Sequence, residues 1–515
     1  MTLAQNTKSW LNSLPGAVTL IALYCLAHMA LRLSTSVNIG ENDPQIILSI
    51  QDGLRWSYST GEPPLFEWLA YLFAEIFGPT ALIFQFLRYS FLALALVFVF
   101  LIARHISGSS LWALLTVESY ALIYQVSWRM HEGFTHPIIA IAAVTGVFYA
   151  FLRLRDHLSL FNIALFFVFL AMGLLSNIWF YGFLAAFLIA IATESSARAL
   201  LFKPLIMLAI IGAIGLAWPY WQVDSRFWNA PGWLLFTTPE GLLASEVSAR
   251  LSGFFTGLTR PLLFVSPLLP LLILFFWPSL WKTRFYLLSC EPAEDKCDRR
   301  RVDDLRLLWA TTAIAVLGLV VLGITNGYTE YSEHAVMPLF FLAPIGLMAL
   351  VQRSNPARKQ QHYFLILCIL VLAGTFSSRA ANLVILDPIC SRCYFGIPFD
   401  GLAQHIADDR EVGAVLTFHR RIGGNLRAHI REDQRVYDIG WPSLATPQAG
   451  DGAMIVAPDE ASIDGYVSSA QRRYRFEQSG AARLVSVPWT HAFRQDGYRV
   501  SEWYVVPGTI GPTNQ

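Results

Sequence analysis

The chain has 515 residues, too many for one compact soluble core. Hydrophobic residues make up 55% and charged residues 14%, against ~25% charged in a soluble domain, and the mean hydropathy is +0.47, so most of the chain does not face water. A formal net charge of +1 argues for neither a nucleic-acid nor an acidic partner.

A membrane-spanning helix needs ~20 mostly apolar residues. Such runs lie near 15–33, 81–103, 111–127, 135–152, 159–175, 178–193, 204–222, 259–281, 306–324, 335–351 and 362–378, which makes about eleven spans. Only Ser176 and Asn177 separate the two halves of 159–193. The first run is not read as a cleaved signal peptide. Lys8 is a weak basic flank, no small-residue cleavage site follows, and many spans come after it. The span interiors read as almost free of charge apart from Arg88, near the start of the second. Nor is there a sign of inverted repeats, as a transporter or flippase of a lipid-linked glycan would need.

Cytoplasmic loops carry an excess of Lys and Arg. One set of alternate loops holds Arg104; Arg153 and Arg155; Arg198 and Lys203; Lys282, Arg284, Lys296 and Arg299 to Arg301; and Arg353, Arg358 and Lys359. The other holds Arg55, Arg129, Arg226 and Arg250, scattered singly. The first set is therefore cytoplasmic, and an odd span count places the tail on the face opposite the N-terminus. The expected organisation is a transmembrane domain over 1–378, with an outer loop at 34–80, and a periplasmic domain over 379–515 in a cell inner membrane.

The outer loop is acidic, with Glu41, Asp43, Asp52, Glu62, Glu67 and Glu75 against Arg55. It divides into amphipathic pieces at 44–56 and 64–77, broken by Pro63–Pro64, with Pro64 suited to a first helical turn. Leu65, Phe66, Trp68, Leu69, Leu72, Phe73 and Phe77 give the second piece the pattern of a helix lying in the membrane interface. Glu41 and Asp43 follow the first span closely, where a part-desolvated carboxylate can act as a general base or hold a cation. A second polar knot is Arg129, His131, Glu132, Thr135 and His136, and a third is Tyr328, Glu330, Tyr331, Glu333 and His334. All three lie on the outer face. Asp43, Glu41 and His136 also suit a divalent metal, although no fixed ligand spacing such as HExxH is present.

Residues 395–506 alternate helix-like stretches (398–410, 459–473) with β-rich ones (413–418, 453–457, 483–487, 498–506), a small α/β domain. Cys25 and Cys368 sit in apolar runs as packing residues, and Cys290 and Cys297 lie in a charged loop. Cys390 and Cys393 form a CxxC, read as a disulfide in an oxidising compartment, with a metal site as the alternative. The fold expected is thus an all-α polytopic membrane protein with a small C-terminal α/β soluble domain.

Glu41–Asn42–Asp43, then Trp56–Ser57–Tyr58 and "WSYSTGEPPLFEWL" with Pro63–Pro64–Leu65 and Trp68, resembles the first outer loop of the polyprenyl-phosphate-sugar-dependent glycosyltransferases. These have the C-type membrane glycosyltransferase fold and include protein mannosyltransferases and the lipid A aminoarabinose transferase. "HEGFTHPIIAIAAVTGVFYAF", "MGLLSNIWFYGFL" and "SEHAVMPLFF" are similar to further segments of the family. The tail "CSRCYFGIPFDGLA…GGNLR" resembles the rhizobial branch, which transfers galacturonic acid to lipopolysaccharide core or lipid A. The family's Lys is Asn177 here, and its Arg before a late span is replaced by Glu333–His334.

The resemblance implies transfer from a polyprenyl-phosphate-linked sugar donor to a hydroxyl of a lipid or glycan acceptor, by inverting direct displacement among membrane lipids. Protein O-mannosyl transfer is the alternative within the family. It implies Asp43 or Glu41 as base, with Arg129, His131 and His136, and then Arg55 and Arg260, at the leaving phosphate. Glu132, Tyr58, Glu62, Glu333 and His334 complete the expected substrate-binding set.

Overall fold

The computed structural model describes residues 13–40, 43–58, 61–223, 246–283, 296–326, 336–386, 395–409, 411–440, 446–489 and 500–512. Glu41, the third knot with Glu333 and His334, and the Cys390–Cys393 motif lie outside these residues. The chain forms two compact units. One comprises Met1–Leu26, Tyr89–His131 and His136–Thr375, the other Ala27–Arg88, Glu132–Thr135 and Phe376–Gln515.

Helices dominate the first unit, as the apolar runs imply. Among the described residues of the whole chain, six helices are long and apolar enough to cross a membrane: Leu14–Thr35, Ala81–Ser107, His136–Asp156, Pro204–Val223, Arg299–Thr325 and Arg358–Ile385. A seventh is counted if Ile178–Thr193 and Ser195–Leu201, bent by 119°, are one span. The expected count of eleven is not confirmed among the described residues, because several apolar runs fold as short or broken helices. The run at 159–175 is Leu160–Leu174, only 15 residues. Ser159 caps its start by accepting from the Asn162 N–H, and Asn177 caps the next helix by accepting from the Trp179 N–H. Ser176 and Asn177 thus do separate two helices.

The run at 111–127 is helical only over Ser110–Ser119. A 3₁₀ turn (Tyr120–Leu122) and a π turn (Gln125–Arg129) follow, with Ile123 extended between them and bridged to Pro267. The run at 259–281 is two helices, Glu246–Phe264 and Leu268–Thr283. Proline lacks an amide donor and disfavours helix in the residue before it, so the chain breaks at Ser266–Pro267. The run at 335–351 likewise splits into Met337–Phe340 and Ala343–Arg353, each with proline near its start. Cys25 and Cys368 are buried and free, in keeping with packing roles. The basic residue Arg155 is tied to Asp304 at 2.7 Å and to Glu194, and His105 also reaches Asp304, at 2.9 Å.

The second unit holds the α/β domain. Strands β1 (Val412–Thr417), β2 (Arg435–Asp438), β3 (Gly452–Ala457), β4 (Phe476–Gln478), β5 (Arg483–Pro488) and β6 (Val500–Ile510) form one sheet of order β2-β1-β3-β6-β4, with β5 also paired to β6. β2, β1 and β3 run parallel, while β6 is antiparallel to its neighbours. Side chains alternate across the sheet. Met454 and Val456 face a core completed by Phe399, Leu402 and Ile406 of helix Phe399–Ala407 and by Leu426 of helix Arg420–Arg427. Ala453 and Ile455 face the other layer, completed by Ala470 and Tyr474 of helix Ile463–Tyr474. β2, β4 and helix Arg420–Arg427 are additions to the expected elements.

The outer loop belongs to this same unit and forms helices Asp43–Ile50 and Leu65–Phe77. The second of these buries Phe66, Glu67 and Ala70 and leaves Leu72, Ile76 and Phe77 more than half exposed.

Candidate functional site

Asp43 opens the first loop helix and is completely buried. Its partner is Arg88, also completely buried, in helix Ala81–Ser107. One guanidinium nitrogen, Nη2, donates to both Asp43 carboxylate oxygens at 2.8 Å each. Arg88 Nε donates to the carbonyl of Phe134 at 3.1 Å. Among the described residues Arg88 Nη1 is buried without a hydrogen-bond partner. Gly40 lies against this group, since a Cβ there would come within 2.9 Å of the Glu132 carbonyl and 3.0 Å of an Asp43 carboxylate oxygen. The first two polar knots therefore meet at Asp43, where the backbone of the Glu132–Phe134 segment closes on the Asp43–Arg88 pair. Sequence reasoning noted Arg88 but assigned it no partner. Its signal was a lone arginine in an apolar run, which demands a counter-ion.

The tail domain fastens this loop. Asn38 donates through Nδ2 to the carbonyls of Phe395 (2.9 Å) and Ile397 (2.7 Å), and Asn425 accepts the Ile39 N–H at 2.7 Å. Arg420 donates to Gln45 Oε1 at 2.6 Å. Gln51 pairs its side-chain amide with both backbone groups of Val436 on edge strand β2, donating at 2.7 Å and accepting at 3.3 Å. Helix Arg420–Arg427 comes so close to Asp43–Ile50 that a Cβ on Gly424 would lie 2.2 Å from the Pro44 carbonyl. Uncharged amides thus carry much of the fixing of the acid's helix. Farther along, Asp52 sits between Arg435 (3.2 Å) and Arg55 (3.8 Å), and burial pushes its carboxyl above the usual carboxylate range.

Tyr58 is buried, and its hydroxyl donates to the Gly53 carbonyl at 3.1 Å and accepts the Arg55 N–H at 2.8 Å. Burial pushes the phenol up to about 12. Trp68 donates to the Arg55 carbonyl at 2.6 Å and packs edge-on against Trp56. These bonds give Tyr58 a structural task, closing the turn ahead of the second loop helix. Glu62 is half-buried beyond that turn.

In the first unit His131 is buried between two phenols. Tyr89 reaches Nδ1 at 2.9 Å and Tyr24 reaches Nε2 at 2.8 Å. With both ring nitrogens engaged, His131 is held in place rather than open to a phosphate. Arg129 ends the π turn, half-buried, and His136 is buried at the first position of helix His136–Asp156. No group of three or more His, Cys, Asp or Glu among the described residues is placed to hold a metal ion. Asp43, one of the three residues suited to that task, has both oxygens on Arg88.

One charged residue inside a span was missed altogether. Glu118 lies in the run read at 111–127, whose interior was taken as free of charge, and it lines a cavity of about 410 Å³.

No family model matches the chain. It is 20% identical over 414 residues to the lipopolysaccharide core galacturonosyltransferase RgtB of Rhizobium johnstonii, covering 80% of each chain. In structure it is similar to ArnT from Cupriavidus metallidurans bound to undecaprenyl phosphate, with a TM-score of 0.56 and 12% identity over 97% of this chain and 99% of that one. The apo state of that protein gives 0.57 with the same identity and coverage. The arabinofuranosyltransferase AftD from Mycobacteria gives 0.50 at 13% identity, over 96% of this chain and 42% of that one. The fold that the resemblance implies is thus borne out: mostly helical, similar to that of ArnT, with a small C-terminal sheet domain.

Proposed function

We propose that the chain is a glycosyltransferase that moves a sugar from a polyprenyl-phosphate donor to a hydroxyl of lipid A or lipopolysaccharide core, on the periplasmic face of the inner membrane. The observation that carries this reading is the match, along almost the whole of both chains, to a protein captured with undecaprenyl phosphate. The sequence likeness to a lipopolysaccharide core galacturonosyltransferase points to the acceptor.

The reaction is a single displacement. The acceptor oxygen bonds to the anomeric carbon, the bond from that carbon to the phosphate oxygen breaks, and the polyprenyl phosphate leaves with the electron pair. The hydroxyl proton goes to a carboxylate. Asp43 and Glu41 are the acids for that role. Each Asp43 oxygen accepts one bond from Arg88 and keeps a further lone pair, so the pairing favours a positioning part for Arg88 while Asp43 and Glu41 both stand as candidate bases. Arg129 and His136 are the groups proposed to neutralise the leaving phosphate, with His131 steadied by its two tyrosines.

The test is mass spectrometry of lipopolysaccharide and lipid A from a deletion strain complemented with wild type, Asp43→Asn or Glu41→Gln. Loss of one hexuronate- or pentose-sized unit, restored by wild type alone, is expected and names the sugar class. An unchanged glycolipid profile in the deletion strain would sink the reading in favour of a transporter.

A further inference from the structure

The first unit contains a cavity of about 410 Å³ whose wall is almost entirely hydrocarbon. Leu20 and Ile21 of helix Leu14–Thr35, Leu96 of Ala81–Ser107, Val117 of Ser110–Ser119, and Leu365 and Leu372 of Arg358–Ala381 supply much of it. Three side chains on the wall carry polar atoms. Tyr120 spends its hydroxyl on the Phe341 carbonyl, and Tyr24 spends its own on His131. The third is Glu118, whose carboxyl makes no hydrogen bond or ion pair among the described residues.

A carboxyl in an apolar wall is costly unless something hydrogen-bonds to it. Among the described residues none hydrogen-bonds to it, the nearby Cys368 included, so the occupant of the cavity is the source that remains. A polyprenyl chain does not fit this requirement, because it carries no polar atom past its phosphate and would leave Glu118 facing hydrocarbon. A fatty acyl chain bearing a hydroxyl fits it. The hydrocarbon fills the cavity, and the one hydroxyl meets the one open carboxyl. The volume falls within the ~300–1,000 Å³ of small-molecule pockets, enough for one chain and not for a complete lipid.

We propose that this cavity binds a hydroxylated acyl chain of the lipid acceptor, with Glu118 as the residue that selects the hydroxyl. The proposal rests on the transferase reading for its choice of acceptor, but its test does not require sugar transfer.

The full-length protein in detergent is titrated, without any sugar donor, with N-(3-hydroxytetradecanoyl)glucosamine and with N-tetradecanoylglucosamine, and binding is read by native mass spectrometry. Wild type is expected to bind the hydroxylated probe about three- to tenfold more tightly, the worth of one hydrogen bond in a dry site. Glu118→Leu should bind the two probes equally and retain the plain one, which also shows that the variant is folded. Glu118→Gln keeps a hydrogen-bonding group and should keep most of the preference. Equal binding of both probes by wild type, a preference that survives in Glu118→Leu, or no binding of either probe would overturn the proposal. So would displacement of the hydroxylated probe by undecaprenyl phosphate, which would give the cavity to the donor chain. If the probes behave as expected while the deletion strain's glycolipids are unchanged, the cavity assignment stands and the transferase reading falls.

Discussion

The Asp43 carboxylate receives both of its hydrogen bonds from one nitrogen of Arg88, at 2.8 Å each, and neither side chain reaches solvent. Such a pair gains little over apolar packing, yet removing one partner leaves a buried charge uncompensated at ~3–5 kcal/mol. Arg88→Met and Asp43→Asn should therefore each lower the melting temperature of the detergent-solubilised protein. The double variant should recover part of that loss, because no lone charge remains. Sugar transfer should stay lost in all three. Single variants that melt with wild type would show that the pair is not closed in solution.

Gly40 tests the geometry around the same acid. A methyl group there meets a backbone carbonyl, that of Glu132, at 2.9 Å, and an oxygen of Asp43 at 3.0 Å. The carbonyl cannot swing aside as a flexible side-chain tip would, so the chain must shift, at a cost of ~1–3 kcal/mol. Gly40→Ala is expected to cut transfer strongly through kcat, with KM for the donor little changed. A variant with wild-type kcat would mean that the position of Asp43 is not critical.

The contact between helix Arg420–Arg427 and helix Asp43–Ile50 makes the tail a support for the loop. Gly424→Ala would drive a methyl to 2.2 Å from the Pro44 carbonyl, and Asn425→Leu would strand the buried Ile39 N–H at ~1–3 kcal/mol. Both changes lie in the tail, yet both should raise hydrogen exchange across residues 43–50 and reduce transfer. If exchange rises only within the tail, the two helices do not act together.

Much of this was legible in the sequence, and the exceptions have physical causes. The loop helices follow from Pro63–Pro64 and from apolar spacing, and β1, β3, β5 and β6 follow from alternation. The broken spans were missed because window hydropathy does not register Pro267 or the extended Ile123. Asn38, Gln51 and Asn425 carried no signal, since an amide declares its partner only in three dimensions, and Ile39 and Asn425 lie 386 positions apart. Gly424 was visible only as part of "GGNLR", whereas its use is the close approach of the Pro44 backbone. Arg88 and Glu118 did carry a signal, a single charge in an apolar run. It was noted without a partner for the first and overlooked for the second.

The fastening of the loop also predicts a pH dependence. His419 caps helix Arg420–Arg427, its Nδ1 accepting the Arg421 N–H at 3.3 Å. Although the side chain reaches solvent, partial desolvation, followed by the charges of Arg421 and Arg420, holds its pKa below the ordinary histidine value. The unfolded chain takes up this proton near ~6.5, ahead of the native one. The stabilisation is therefore fully present above that pH and is lost as the pH falls through the lower native value. Protonation also removes the acceptor from Nδ1, so the cap goes with it. Protection against hydrogen exchange over 420–427 and 43–50, corrected for the intrinsic pH dependence of amide exchange, should accordingly fall as the pH is lowered from 7 to 5. His419→Asn keeps a cap acceptor and cannot titrate, so it should flatten the profile. An Asn variant with the wild-type profile would assign the effect elsewhere, His429 being the next group, since burial lowers it as well.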